Sequence, residues 1–305
     1  MQYNYRVFNL CCTSTIPLPS FIVNDVEDTI PDFEVVLGNV EPNFKKEPTV
    51  TKPFTQFNEN EFFYQVPDIA KYFVTDGNKV VIEPLCEDWD SILLFFYSNS
   101  IAAILFQKNL IPFHVSGVLD NKGGLWLFAA PSRTGKSTTA LKLKEKGYAL
   151  FTDDTALITI VNNECVAIAS YPVLRAWENT MNNQQVYALS EGKQLRAEIN
   201  KFGIAFHDDF VSSSQKVKGI IFLEMQGDSI QIERMKSAKG MQHLGNNIYR
   251  NKWVHGMNKQ LLQFKTVSAI SQKVPFWVAT RPKDKPSFDS FADAIIEQII
   301  EADGK

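Results

Sequence analysis

The segment 130–139, APSRTGKSTT, constrains this chain more than any other part of its sequence. It contains Gly135, Lys136 and Ser137 in the order found in loops that bind phosphate groups. Such a loop surrounds phosphates with backbone N–H groups at the start of a helix, and its lysine reaches the outer phosphates. The usual pattern opens with a glycine, whereas this chain has Ala130 at that position. The segment is therefore a close but incomplete match to a phosphate-binding loop.

The residues on either side of this segment predict the strand and the helix that a phosphate loop needs. The apolar run 125–130, LWLFAA, has no helical period and is typical of a strand buried on both faces of a parallel sheet. The run 136–146 predicts a helix, and 148–152 predicts the next strand. In a right-handed strand–helix–strand unit both strands end at the same edge of the sheet. We therefore expect Asp153 and Asp154, which follow the second strand, to lie beside the loop.

This arrangement predicts a site for ATP with Mg²⁺. The expected nucleotide contacts come from the loop and the first helical turn: Ser132, Arg133, Thr134, Gly135, Lys136, Ser137 and Thr138. Simpler interpretations are open for both parts of the site. The loop could be a turn that only caps a helix, with Thr134 or Ser132 as the capping hydroxyl. The two aspartates could belong to a solvated turn, where aspartate is common.

The overall charge of the chain excludes no class of protein but points to no polyanionic partner. Lysine and arginine total 31 against 34 aspartates and glutamates, for a net charge of −3. We therefore expect neither nucleic acid nor a membrane surface as a partner. The longest apolar runs, such as 92–97 and 101–106, fall short of the ~20 residues that span a bilayer. The N-terminal residues lack the pattern of a secretory signal, so we expect a cytoplasmic protein.

Four cysteines, Cys11, Cys12, Cys86 and Cys165, are few for 305 residues and show no Cys-x-x-Cys spacing. This argues against a disulfide framework and against a zinc site. The adjacent Cys11 and Cys12 are best explained as two small apolar side chains on opposite faces of a strand.

The length of the chain predicts two domains, or one domain with a substantial N-terminal extension. We expect a mainly β region at 1–88 and a catalytic domain at 89–305. Short runs of alternating apolar residues dominate the first region. Among them, 72–75 and 80–84 flank an Asp-Gly-Asn turn and predict a hairpin.

The second region contains further helix and strand patterns. A long helix is predicted over 89–108, and the turn 120–124 predicts a hairpin that leads into the phosphate loop. Buried strands are predicted at 217–223 and 274–279, and an amphipathic helix at 287–301 closes the chain.

Three motifs resemble those of a known family in both order and spacing. They are Phe113-His-Val-Ser-Gly117, the loop 130–137, and the run 141–154 that ends in Asp153-Asp154. The chain resembles the HPr kinase/phosphorylase catalytic domain and its relatives, which have a phosphoenolpyruvate carboxykinase-like P-loop fold. The resemblance covers roughly 85–175 well and the C-terminal third only weakly. It implies an α/β fold with a P-loop core, preceded here by a mainly β N-terminal region.

The resemblance also implies roles for individual residues. Lys136 would bind the outer phosphates, and Ser137 with Asp154 would hold Mg²⁺. Asp153 would be the general base that takes the proton from an incoming hydroxyl, and His114 would lie near the same phosphate. Apart from the motif, a single histidine on an apolar strand more often has a structural role than a catalytic one.

Phosphoryl transfer also calls for a further positive charge near the transferred group. The candidates are Arg133, Arg175 and Arg281. We favour Arg175 as a catalytic residue, because its segment Pro-x-Leu-Arg-x-Trp is similar to one in the relatives. Arg133 could equally be a solvated loop residue, and Arg281, which precedes Pro282, could lie in a surface turn.

The sequence therefore predicts an ATP- and Mg²⁺-dependent serine kinase. The acceptor would be a hydroxyl, in a protein or a peptide, with a small-molecule acceptor as the alternative. A catalytically inactive nucleotide-binding regulatory or scaffold protein is the alternative from another class. The Glu-x-Arg-Gly-x-Gly element of HPr kinases has no clear counterpart here, so HPr itself and the reverse phosphorylase reaction are not predicted. Relatives are often multimeric, which makes a homo-oligomer compatible with the resemblance.

Overall fold

The computed structural model describes residues 2–25, 30–177, 193–196, 199–283 and 287–302. It is a mixed α/β structure with two large sheets and a small third one. The described helices are α1 Trp89–Phe95, α2 Ile101–Gln107, α3 Lys136–Glu145, α4 Ser237–Asn246, α5 Trp253–Gly256, α6 Gln260–Ser271 and α7 Phe288–Ile295.

Nine described strands form the first sheet, which contains most of the N-terminal region. They are β1 Tyr3–Val7, β2 Leu10–Ser14, β3 Ile22–Val23, β4 Phe33–Leu37, β5 Val50–Lys52, β6 Thr55–Phe57, β7 Glu61–Val66, β8 Ala70–Thr75 and β9 Lys79–Pro84. Their order across the sheet is β3-β1-β2-β4-β9-β8-β7-β6-β5. In β2 the side chain of Cys12 is buried and that of Cys11 is half-buried, and both are free thiols.

The predicted hairpin of β8 and β9 is confirmed. The two strands pair antiparallel from Ala70–Pro84 to Thr75–Lys79. Alternate residues of β8 are buried, as expected for a strand with one face on the core. Asp76 and Gly77 both have positive φ, at 52° and 65°, which is the backbone conformation of a tight hairpin turn.

The long apolar helix predicted over 89–108 is also present, with an internal π-helical turn. The helices α1 and α2 are joined by the π turn Phe96–Ser100. The 19-residue helix Trp89–Gln107 is long and apolar enough to cross a membrane by those two criteria, but 78% of its apolar window is buried inside the protein. It packs on the first sheet, where Tyr72 donates a hydrogen bond to the carbonyl of Ile92 at 2.8 Å. These contacts are those of a core helix.

The second and third sheets belong to the region after residue 108. Their strands are β10 Pro112–Phe113, β11 Val115–Leu119, β12 Leu125–Ala129, β13 Ala149–Thr152, β14 Ala156–Val161, β15 Glu164–Ala169, β16 Val173–Trp177, β17 Lys193–Arg196, β18 Ile199–Ala205, β19 Gln215–Met225, β20 Gln231–Met235 and β21 Phe276–Arg281. The second sheet has the order β10-β14-β15-β19-β12-β11-β13, with β21 between β19 and β20. The third has the order β16-β18-β17.

The strands on either side of the phosphate loop run in the predicted directions. Both β12 and β13 pair antiparallel with β11, which lies between them. The two strands are therefore parallel to each other and end at the same edge of the sheet. The helix α3 connects them, so the loop before α3 and the aspartates after β13 meet at that edge.

The strand that enters the loop is buried on both faces, as its unbroken apolar sequence predicts. Leu125, Leu127 and Ala129 face a large core that also contains side chains from the first sheet and from α2. Trp126 and Phe128 face a second core, shared with α3 and α7. This double burial fixes the position of the loop relative to both layers.

Candidate nucleotide-binding site

The loop between β12 and α3 has the backbone geometry of a phosphate site. Gly135 caps α3 with φ of 112°, a left-handed conformation that glycine adopts without strain. A Cβ atom at this position would lie only 2.9 Å from the ring of Phe288. Ala130, which replaces the usual first glycine, is buried and keeps a negative φ. An alanine therefore fits the backbone at this position.

Lys136 lies at the centre of the site and is only 7% exposed. Its Nζ donates to the carbonyl of Ala130 at 2.7 Å and lies 3.0 Å from Nε2 of His114. The side chain is therefore folded back over the loop. A phosphate group would compete with the carbonyl of Ala130 for the charged amino group of the lysine.

His114 connects the lysine to the second aspartate. Its Nδ1 lies 2.8 Å from the carbonyl oxygen of Asp154, and because a carbonyl only accepts, Nδ1 carries the hydrogen. The Nε2 atom then accepts from Lys136. Burial lowers the pKa of His114 below its ordinary value, against the opposing effect of the Asp154 carboxylate. The ring is therefore a neutral link in this network.

Asp153 is the more deeply buried of the two aspartates, with 3% exposure. Its Oδ1 accepts hydrogen bonds from Oγ of Ser137 at 2.8 Å and from Oγ of Ser116 at 2.5 Å. Sequence reasoning did not single out Ser116, although it lies within the motif that begins at Phe113. The only signal was its position on the strand β11, two residues after His114.

Asp154 faces another direction because the chain turns sharply at that residue. Its φ is 72°, a conformation that aspartate tolerates better than most residues do. Its Oδ1 lies 3.6 Å from Nδ1 of His114, and the side chain is 15% exposed. The two neighbouring carboxylates therefore have different partners. Asp153 accepts from Ser137, whereas Asp154 lies beside His114.

The oxygen atoms at this edge fit Mg²⁺ that arrives with a nucleotide. Among the described residues, no group of three or more His, Cys, Asp or Glu side chains could hold a metal ion on its own. Mg²⁺ commonly binds through one or two carboxylates, water and substrate phosphates. Ser137, Asp153 and Asp154 supply hard oxygen ligands of that kind.

Arg281 lies beside the loop, at the end of β21. Its side chain is 7% exposed, and its Nη2 lies 3.4 Å from the carbonyl oxygen of Thr134. The guanidinium lies 4.1 Å from the centre of the Phe288 ring. Burial lowers its pKa, and no carboxylate of the described residues forms an ion pair with it. The alternative of a surface turn is therefore wrong for Arg281.

The other predicted residues are placed less tightly. Arg133 and Ser132 are exposed on the loop, and Arg133 has a positive φ of 69°. Thr138 is buried in the first turn of α3. Arg175 belongs to β16, but its side chain is outside the described part of the structure, so its predicted role stays a prediction.

Comparison with known proteins adds little to this geometry. No protein-family model and no curated protein matches the chain. Among solved structures, it is similar to the Hpr(Ser) kinase/phosphatase from Coxiella burnetii, with 12% sequence identity and a TM-score of 0.34. The match covers 64% of this chain and 99% of that one. A match at this TM-score carries no weight for the activity, so the function proposed below rests on the site itself.

Proposed function

We propose that this protein is an ATP- and Mg²⁺-dependent kinase that transfers a phosphoryl group to a hydroxyl, with a serine of a protein or peptide as the acceptor. One observation carries the proposal. Lys136 and Ser137, at the start of α3, converge with Asp153 and Asp154, at the end of β13, on one edge of the sheet. A lysine, a metal site and a carboxylate near the nucleophile are the parts that phosphoryl transfer needs.

In this proposal the loop holds the nucleotide through its backbone N–H groups at the N-terminus of α3. Lys136 leaves the carbonyl of Ala130 and binds the outer phosphates, while Nε2 of His114 keeps it oriented. Mg²⁺ held near Ser137 would neutralise phosphate charge. Arg281, beside Thr134, adds a second positive charge next to the loop.

The two aspartates then divide the remaining work. One accepts the proton of the hydroxyl as its oxygen bonds to the γ-phosphorus and the bond to the bridging oxygen breaks, which releases ADP. The resemblance assigns this role to Asp153 and the metal to Asp154. The contacts favour the reverse division, since Asp153 already accepts from Ser137 and is buried. Asp154 is more exposed and is linked to His114.

The first test is thermal unfolding with and without Mg·ATP, in the parent and in Lys136→Ala. Lys122, exposed in the hairpin turn, provides the matched control variant Lys122→Ala. A ligand present at about 100 times its Kd stabilises the folded state by about 2.7 kcal/mol, so binding is visible as a higher Tm. We expect the shift in the parent and in the control but not in Lys136→Ala. No shift in the parent would contradict the proposal.

The second test separates the possible activities and the two aspartates. Radiolabelled ATP would be incubated with serine-containing peptides, with proteins and with small alcohols, using Asp153→Asn and Asp154→Asn as variants. If the contacts assign the roles correctly, Asp153→Asn raises the Mg²⁺ concentration that phosphoryl transfer needs. Asp154→Asn instead lowers kcat at saturating Mg²⁺. Transfer only to small alcohols would identify a small-molecule kinase. A nucleotide shift without transfer to any acceptor would identify a regulatory or scaffold protein.

A further inference from the structure

The segment 234–283 contains ten lysines and arginines and no aspartate or glutamate. The whole chain, in contrast, carries 31 basic and 34 acidic residues. This segment runs from the end of β20 through α4, α5 and α6 to the residues after β21. A concentrated positive charge in a chain of net charge −3 indicates a local role rather than a general property of the surface.

The positive charge of this segment is mostly not neutralised by other parts of the described structure. Six exposed lysines of the segment form no ion pair with a described carboxylate: Lys236, Lys239, Lys252, Lys265, Lys273 and Lys283. The helix α3 shows the opposite behaviour. Its lysines Lys142 and Lys144 pair with Asp289 and Asp209. The segment therefore presents a positive field that a negatively charged partner can neutralise.

A groove of about 470 Å³ lies between α4 and α6 within this segment. Its apolar lining comes from Ala238 and Met241 of α4 and from Phe264 and Val267 of α6. Phe264 is 60% exposed, and Leu261, one turn earlier on α6, is 65% exposed. Large apolar side chains that remain exposed around a groove are typical of a binding surface.

Amide side chains provide the polar part of the same groove. Gln242 and Asn246 line it from α4, and Gln260 and Gln263 line it from α6. Amide groups both donate and accept hydrogen bonds, so they suit the backbone and side chains of a peptide. With about 3.6 residues per turn, Lys239 lies on the same side of α4 as Asn246. The groove therefore combines an apolar floor and amide groups with one lysine, Lys239, at its edge.

The groove ends next to the candidate active site. Asn246 is the last residue of α4, and the carbonyl of the next residue, Asn247, accepts from the backbone N–H of His114 at 2.7 Å. The ring of Tyr249 lies 5.9 Å from the ring of His114. A chain bound along the groove would thus pass close to His114 and Asp154.

We infer that the groove between α4 and α6 binds an acidic segment of the phosphoryl acceptor, anchored by apolar side chains. The inference rests on the proposed function, because it names the kind of acceptor that would use the site. Charge complementarity favours an acidic partner. The apolar floor favours a peptide with apolar anchors, as in helix-in-groove recognition, over a nucleic acid, whose backbone would contact only the lysines.

Fluorescence anisotropy with a labelled peptide tests this docking without any nucleotide. The probe carries glutamates around a leucine and a phenylalanine in helical spacing, and a comparison peptide has lysines in place of the glutamates. The variants are Phe264→Ser and Lys239→Glu. Matched controls are Phe54→Ser, at an exposed phenylalanine in the turn between β5 and β6, and Lys122→Glu.

We expect the acidic peptide to bind the parent and both controls, and each groove variant to bind it roughly tenfold more weakly. The comparison peptide should not bind. Four results would overturn the inference: no binding by the parent, unchanged affinity in the groove variants, stronger binding of a single-stranded oligonucleotide, or a dimer that Phe264→Ser dissociates. The last result would show that a second copy of the chain fills the groove.

The readout is independent of the nucleotide site. If the parent protein binds the peptide but its Tm does not rise with Mg·ATP, the docking surface stands and the kinase proposal is refuted. A Tm shift with Mg·ATP but no peptide binding would refute the docking surface and leave the kinase proposal in place.

Discussion

Nζ of Lys136 lies 3.0 Å from Nε2 of His114, and Nδ1 of the same ring lies 2.8 Å from the carbonyl of Asp154. The imidazole thereby joins the lysine of the phosphate loop to the segment that carries the two aspartates. Since the pKa of His114 is lowered by burial, the ring is neutral at pH 7 and accepts from the lysine. The lysine of α3 thus contacts a residue that lies between β10 and β11, 22 residues earlier in the chain.

Replacing His114 tests this link. In His114→Phe the lysine loses one acceptor, and we expect affinity for Mg·ATP to fall about fivefold, which corresponds to one hydrogen bond of about 1 kcal/mol. Calorimetric titration with a non-hydrolysable ATP analogue measures it. His255→Phe is the control, because His255 is exposed and contacts Gln260 instead. A rise in affinity would mean that His114 competes with phosphate for the lysine.

Because Arg281 is buried beside the loop, its replacement should have opposite effects on stability and on nucleotide binding. A buried guanidinium without a carboxylate among the described residues is costly, so Arg281→Met should stabilise the nucleotide-free protein by about 1 kcal/mol. The same change should weaken binding of Mg·ATP about tenfold, through loss of a charge-assisted contact. Arg234→Met is the control, since that arginine stacks on Trp277 but is exposed. Equal ATP affinity in the parent and Arg281→Met would contradict a role in binding.

Alanine at the two glycines that flank α3, Gly135 and Gly147, should lower stability by different amounts. Gly147→Ala introduces a side chain at φ of 96° in open space, so only the backbone cost of about 1 kcal/mol applies. Gly135→Ala adds a contact of 2.9 Å with Phe288, and its total cost should reach about 3 kcal/mol. Urea unfolding measures both. Only Gly135→Ala should abolish the Mg·ATP shift, and equal effects of the two variants would show that the loop tolerates displacement of Phe288.

The ion pair between Glu59 and Lys259 predicts a dependence of stability on pH. Nζ of Lys259 is buried and lies 3.1 Å from Oε1 of Glu59, and this hydrogen bond lowers the pKa of Glu59 below 4.5. A lowered carboxyl pKa stabilises the folded state above pH 4.5, and this stabilisation is lost as the pH falls through the lowered pKa.

Urea unfolding from pH 7 to pH 3 checks this dependence. Glu59 is about half exposed, so solvent screens the pair and Glu59→Gln should cost less than about 1 kcal/mol at pH 7. This cost should shrink as the pH falls towards 3. The exposed pair of Glu164 with Lys216 provides the control variant Glu164→Gln, which should have little effect at either pH. A pH-independent cost of Glu59→Gln would assign the effect to packing.

Several elements could be predicted because their signals are local. The hairpin of β8 and β9 follows from alternation around Asp76-Gly77, and the helix Trp89–Gln107 from its length and apolar character. The π turn inside that helix has no sequence signal that we can identify. The role of Arg175 and the boundary at residue 88 remain predictions.

The sequence by itself determined the strand, loop and helix around Gly135 and brought Asp153 to the same sheet edge, because short-range geometry and the handedness of the chain leave few other arrangements. Only the tertiary structure decided that Arg281, 147 residues from Thr134, is buried beside the loop. It also decided that Ser116 and Ser137 share one carboxylate oxygen and that α4 and α6 form a groove next to His114. Contacts between distant segments depend on how whole layers pack, and no local pattern of residues encodes them.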